Sequence, residues 1–373
     1  MNIYRGEFMN KLGFGYLRLP KIGDEIDYDT LNTITDEYIA KGGRYFDTAF
    51  SYLGGKSEEA IGKCLSSRHP RESYMLATKL AGYDAKSYED CWQQFNTQLE
   101  RCGVDYFDVY MLHWLNKKNY DIAEKYNEFA FLQELKEKGL AKKTGFSYHD
   151  TADLLDQILT RHPEIDYVLL QINYLDWESD AIQSRLCYET CVKHGKKVIV
   201  MEPVKGGSLA NIPQGAKDIL TQIDANASPA QLAIRFAQSL ENVEIVLSGM
   251  NSLEQIEQNM ADVQPLTEEE KAIMQQAVSV IKGATAVDCT ACGYCLKHCP
   301  KNIAIPEYFK LYNEYMRNPN DDWKITPVYD NFTLKYGKAS DCINCRRCEN
   351  NCPQKLPITQ HLKDIAKAFE KSE

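Results

Sequence analysis

The chain has 373 residues, 44% hydrophobic and 26% charged, with a formal net charge of −10, which leaves room for one large globular domain and a smaller one. No apolar run approaches the ~20 residues that cross a bilayer, and the opening MNIYRGEFMNKLGFG lacks the basic-then-apolar layout of a secretory leader. A cytoplasmic location is therefore expected, and the acidic balance, concentrated before Ala284, argues against nucleic acid or membrane as a partner.

In chain order, Ile3–Lys11 reads as a small hairpin closing one end of the first domain. Eight short apolar segments then recur: Phe14–Leu19, Tyr45–Thr48, Tyr74–Lys79, Tyr106–His113, Lys143–Ser147, Tyr167–Asn173, Lys197–Pro203 and Glu244–Met250. Between them lie stretches with apolar residues at helical spacing, such as Tyr28–Lys41, Glu58–Leu65, Tyr88–Arg101 and Ala123–Lys138. Breakers mark the joints at Gly42-Gly43, Gly139 and Gly195. This alternation predicts a (β/α)₈ TIM barrel in the α/β class, in which the C-terminal strand ends converge on one catalytic face. A doubly wound open sheet is disfavoured because no GxGxxG follows the first strand. Thr267, followed three residues later by Glu270, predicts a capped helix from Thr267 to Lys282, ended by Gly283. The expected division is a barrel domain over residues 1–283 and a mainly α-helical, cysteine-rich domain over 284–373.

Eight of the thirteen cysteines crowd into two runs. Cys289, Cys292, Cys295 and Cys299 precede Pro300; Cys342, Cys345, Cys348 and Cys352 precede Pro353. Both runs are C-x₂-C-x₂-C-x₃-C-P, the spacing of bacterial ferredoxins, in which closely spaced thiolates wrap a 4Fe–4S cubane. Zinc also takes C-x₂-C pairs, but it rarely uses four cysteines in one run closed by proline, and here the run occurs twice. The other five (Cys64, Cys91, Cys102, Cys187 and Cys191) read as small buried hydrophobes. The likeness to two-cluster ferredoxins implies that the fourth cysteine of each run serves the other cluster. One set is then Cys289, Cys292, Cys295 and Cys352, and the other Cys342, Cys345, Cys348 and Cys299. The long spacer between the runs, with its helical Pro306–Arg317, resembles the α-helical dicluster ferredoxins.

Polar residues stand at the strand ends: Asp47 and Tyr52, Lys79, and His113. In order and spacing they resemble the catalytic tetrad of the aldo-keto reductase family, over roughly Leu12 to Met260. The resemblance implies an NAD(P)H-dependent enzyme that interconverts a small-molecule carbonyl and its alcohol. Tyr52 would then be the proton donor, Lys79 would favour its phenolate, Asp47 would hold Lys79, and His113 would orient the carbonyl. It also implies that Ser147 and Gln171 bind the nicotinamide carboxamide. Met201, Pro203, Lys205, Gly206 and Gly207 would follow the cofactor toward its pyrophosphate, and Ser248, Gly249, Met250, Glu254, Gln255, Gln258 and Asn259 would take the adenosine end. The sequence departs from the family at Tyr148, where Asn is common, and at Met201, where an aromatic usually stacks. No Lys or Arg lies between Ser248 and Gln258, where a basic group usually meets a 2′-phosphate, so NADP and NAD both stay open. Two rivals stand beside this reading: an electron carrier or docking protein with a catalytically unused barrel, and clusters that are only structural. Cubanes move single electrons, so a redox partner protein is also expected.

Overall fold

The structure, a computed structural model, describes residues 11–261, 264–317 and 322–370. The hairpin expected at Ile3–Lys11 falls, but for Lys11, outside them. The described residues form two compact units. The first comprises those of Met1–Ser179, Gln183–Pro203 and Ala230–Leu266; the second comprises those of Asp180–Ile182, Val204–Pro229 and Thr267–Glu373. Among the described residues, no helix is long and apolar enough to cross a membrane.

In the first unit eight parallel strands close into a barrel. They are β1 (Leu12–Gly15), β4 (Tyr45–Asp47), β5 (Met75–Leu80), β6 (Phe107–Leu115), β7 (Ala141–Tyr148), β8 (Tyr167–Gln171), β9 (Lys197–Met201) and β10 (Val243–Ser248), each paired with the next and β10 returning to β1. Two further strands, β2 (Lys21–Ile22) and β3 (Glu25–Ile26), make a small antiparallel hairpin that the hydrophobic pattern does not announce, turned at Gly23. Alternate side chains fill the barrel: Tyr45 on β4, Ala77 on β5, Val109 and Met111 on β6, Tyr167 and Leu169 on β8, Ile199 on β9, and Ile245 and Leu247 on β10. The strand period of two therefore fixes which residue comes next on the inner face.

The helix expected over Ala123–Lys138 is two helices, Lys117–Lys125 and Glu128–Glu137, broken where Asn127 takes a left-handed φ of 58°. Asn tolerates that conformation better than most residues, so the break leaves no signature in the apolar spacing. It also carries Glu128 inward, where the side chain is 2% exposed, Oε1 has no hydrogen-bond partner, and a Cβ on Gly82 would collide with Oε2. Burial pushes the Glu128 carboxyl up from 4.5 to about 7. The unfolded chain releases this proton before the folded one does, so the contribution of this carboxyl to stability is full below about pH 4.5 and is lost as pH rises toward 7, a fall of about 3 kcal/mol. Glu128→Gln is expected to remove that fall. Thermal unfolding midpoints of the two proteins, compared at pH 4 and pH 8, should diverge much more at the higher pH; parallel pH profiles would contradict it.

In the second unit the helix Glu268–Gly283 begins at a capping box in which Thr267 and Glu270 exchange bonds, and it packs on the helix Gln214–Leu220. Gly283 is the last helical residue and does not provide a left-handed stop; the helix ends at Ala284, φ −105°. The cysteine module is a backbone repeat. Left-handed residues fall at Ala291, Gly293 and Asn302 and again at Asn344, Arg346 and Lys355, each 53 residues apart. The helices Ile305–Arg317 and Ile358–Phe369 begin at the same interval. They meet over an aromatic and aliphatic core that includes Tyr308, Phe309, Tyr329, Ile365 and Phe369.

Candidate active site and cysteine centres

Each tetrad residue carried by a strand lies two residues beyond a core position: Asp47 after Tyr45, Lys79 after Ala77, and His113 after Met111. The same step places Ser147, Gln171 and Met201 at the ends of β7, β8 and β9. Tyr52 arrives from a loop whose next three residues, Leu53, Gly54 and Gly55, all have positive φ. Glu58, fully buried, accepts from Thr78 Oγ1 at 2.7 Å and Gln98 Nε2 at 2.6 Å and pairs with Arg101 at 3.3 Å. That clamp ties the helix after the loop to β5 beside Lys79.

The Lys79 ammonium, wholly buried, contacts Asp47 Oδ1 at 2.5 Å and the Thr48 carbonyl at 2.7 Å, and reaches the Tyr52 hydroxyl at 3.5 Å. Burial pulls Asp47 up and Lys79 down, and their mutual attraction opposes both shifts. Tyr52 is half-buried as a residue, yet burial of its hydroxyl, and after it the Asp47 charge, holds the phenol well above its ordinary value. This is opposite to the lowering expected from Lys79, because desolvation outweighs the attraction of an ammonium that Asp47 already neutralises. The outcome is a tyrosine that keeps its proton. His113, at right angles to Tyr52 with ring centroids 5.6 Å apart, is pushed well below 6.5 by burial and then by Lys79, so it is neutral.

Three further groups escaped the sequence reading. Ser51 Oγ lies 3.5 Å from His113 Nδ1, the Tyr83 ring is tilted 53° to the imidazole with centroids 6.0 Å apart, and Trp114 meets Tyr83 edge-on at 5.9 Å. An aromatic just beyond a strand end was the available signal. Trp114 has a φ of 63° and shifts the β6–β7 register, so that its N–H donates to Ser147 Oγ at 2.6 Å. Gln171 is 5% exposed and its Nε2 has no partner. A buried amide donor without an acceptor costs about 1–3 kcal/mol, and a nicotinamide carboxamide is an acceptor of the right chemistry for it. Pro203, Ser248 and Met250 are buried, and Gly249 has the Arg18 side chain against it. Arg18 thus supplies a cation that the Ser248–Gln258 segment lacks. On the following helix Glu254 and Gln255 are exposed, Asn259 is half-buried, and Gln258 Nε2 donates to Glu254 Oε1 at 3.0 Å.

In the second unit Lys205, Gly206 and Gly207 form a loop of three successive positive φ values (47°, 65° and 99°). A Cβ on Gly206 would collide with the Thr290 carbonyl, and Lys205, 2% exposed, donates to Gln354 Oε1 at 3.3 Å. Thr290 and Gln354 line a cavity together with Cys289, Cys292, Cys295 and Cys352. A second cavity is lined by Cys299, Cys342, Cys345 and Cys348. Each cavity therefore collects three cysteines of one run and the fourth of the other. Ala291 N–H donates to Cys289 Sγ at 3.4 Å and Ile303 N–H to Cys299 Sγ at 3.5 Å. Among the described residues no three His, Cys, Asp or Glu side chains converge tightly enough to grip a single metal ion; the thiols rim a wider space. Four soft sulfur donors around such a space suit a 4Fe–4S cluster.

The aldo/keto reductase family profile matches residues 11–279, and a 4Fe–4S dicluster domain profile matches residues 288–357. An aldo-keto reductase of Mycobacterium avium is 29% identical over 255 residues, covering 68% of this chain and 80% of that protein. The NADH-specific methylglyoxal reductase of Escherichia coli is 26% identical, covering 58% of this chain and 77% of the enzyme. An aldo/keto reductase of Klebsiella pneumoniae, solved with NADP and acetate, is 22% identical; the match covers 71% of this chain and 90% of that one at a TM-score of 0.60.

Proposed function

Because this chain belongs to the aldo/keto reductase family and is an oxidoreductase, we propose that it interconverts a small carbonyl compound and its alcohol with NAD(P)H, and carries an electron-transfer module of two 4Fe–4S clusters. The observation that carries the reading is the buried chain Asp47–Lys79–Tyr52 with His113 at right angles to the phenol. Nicotinamide, when bound, supplies a hydride to the carbonyl carbon. The two electrons of that hydride leave negative charge on the oxygen, and Tyr52 gives it a proton. Lys79 stabilises the resulting phenolate, and Asp47 keeps Lys79 aimed at it. Neutral His113 donates a hydrogen bond to the substrate oxygen and fixes its direction. Gln171 and Ser147 would hold the carboxamide, and Met201 and Pro203 would border the ring. Residues 248–259 would take the adenosine. Arg18 beside Gly249 favours NADP over NAD.

Cys289, Cys292, Cys295 and Cys352 would hold one cluster, and Cys299, Cys342, Cys345 and Cys348 the other; each cluster moves one electron at a time. The protein works in the reducing cytoplasm, where these thiolates stay available. The test is anaerobic purification with iron and sulfide analysis, followed by reduction of methylglyoxal and other small aldehydes and ketones with NADPH and with NADH. About eight iron atoms per chain and steady nicotinamide oxidation are expected. Full cluster loading with no turnover of any carbonyl would favour the electron carrier with an unused barrel.

A further inference from the structure

The two cysteine sets sit in different surroundings. The first cavity has no charged residue among those lining it, and Thr290, Cys295, Ile305, Phe309, Gln354 and Ile358 are buried there. The second opens outward: His298, Pro300, Lys301, Ile343, Cys345 and Arg346 line it and are all exposed. Ile343 is 58% exposed, an apolar tip beside a cysteine on the surface. No acidic residue lines this cavity. Arg346 keeps a side chain 74% exposed and meets Glu349 only at 3.8 Å. Ile305 lines both cavities and forms a shared wall between the two cysteine sets.

On this basis we propose that the rim around Cys345 is the docking surface for an acidic one-electron carrier protein, and that the cluster held by Cys299, Cys342, Cys345 and Cys348 is the port through which single electrons enter or leave. The inference rests on the two-cluster reading above. Its occupant follows from charge. The whole chain carries −10, so an acidic carrier is repelled by most of the molecule and steered to the cationic rim of Lys301 and Arg346. Ile343 and Pro300 supply the small dry centre that such a transient contact needs. In the step itself the reduced carrier loses one electron and the oxidised cluster gains it; no bond forms or breaks and no proton moves. The first set, which has no exposed thiol and is separated from the port by Ile305, is the inner station. It is also the set whose lining residues Thr290 and Gln354 meet the Lys205–Gly207 loop.

The experiment uses the anaerobically isolated, cluster-loaded protein and a reduced acidic flavodoxin as probe, with cluster reduction followed by stopped-flow absorbance and EPR. The second-order rate is expected to fall steeply between about 50 and 300 mM salt. It is expected to fall about tenfold at low salt in Lys301→Glu and, independently, in Arg346→Glu, with the EPR spectra unchanged. Lys217→Glu, an exposed lysine on the helix Gln214–Leu220, should react like the unaltered protein, and reduction by dithionite should not distinguish the variants. A rate insensitive to salt and to both charge reversals, with clusters intact, would overturn the docking surface alone. An unaltered protein without any cluster signal would overturn the two-cluster reading and the docking surface with it.

Discussion

Tyr52→Phe is expected to lower carbonyl reduction by about 10²–10⁴-fold, the range for losing a positioned proton donor, while nicotinamide binding stays within about twofold. The asymmetry follows from the site. The hydroxyl is the one group of Tyr52 within hydrogen-bonding reach of Lys79, and its removal leaves the ring, its edge contact with His113 and the Lys79–Asp47 pair in place. Because burial holds the phenol well above its ordinary value, the wild-type enzyme keeps its donor protonated through the neutral range. Its kcat should therefore show no loss of activity from tyrosine ionisation up to about pH 9. Steady-state rates across that range, with nucleotide binding followed by fluorescence, check both statements. Undiminished turnover in Tyr52→Phe would remove Tyr52 from the chemistry.

The second large effect concerns the exchange of cysteines. Cys352 belongs by sequence to the second run, yet it lines the cavity of Cys289, Cys292 and Cys295. Cys299 belongs to the first run and lines the cavity of Cys342, Cys345 and Cys348. Cys352→Ala is expected to abolish or convert the first-set cluster and leave the second, and Cys299→Ala to do the reverse. Each variant should lose up to half of its bound iron. Selective assignment is available because the two environments differ: the second set has an exposed thiol at Cys345 and charged neighbours, so its cluster should be the one broadened by a soluble paramagnetic probe. If Cys352→Ala spares the probe-insensitive signal and removes the exposed one, each run serves its own cluster and the exchange is wrong.

Much of this protein is written in local patterns. The eightfold alternation of apolar strands and amphipathic helices predicts the closed parallel barrel, in which eight strands close on a shared interior with their helices outside. The period of two along each strand then places Asp47, Lys79, His113, Ser147, Gln171 and Met201 one step past the inner layer. The duplicated cysteine spacing marks the second module for a similar reason: close thiols on one loop are a local property of the chain.

What depends on long-range contact was not legible. The break at Asn127 and the burial of Glu128 are decided by packing near Gly82, which sequence periodicity does not see. The direction of the Tyr52 shift required knowing how completely its hydroxyl is enclosed and that Asp47 already neutralises Lys79. Arg18 is distant in sequence from Gly249 and meets it only once β1 lies beside β10. The sequence by itself therefore determined the fold class, the strand-end residues and the cysteine spacing, all of which follow from periodicity and neighbours along the chain. Only the tertiary structure decided which side chains are desolvated and which distant groups share a charge, because electrostatics is set by three-dimensional distance and burial and not by position in the chain.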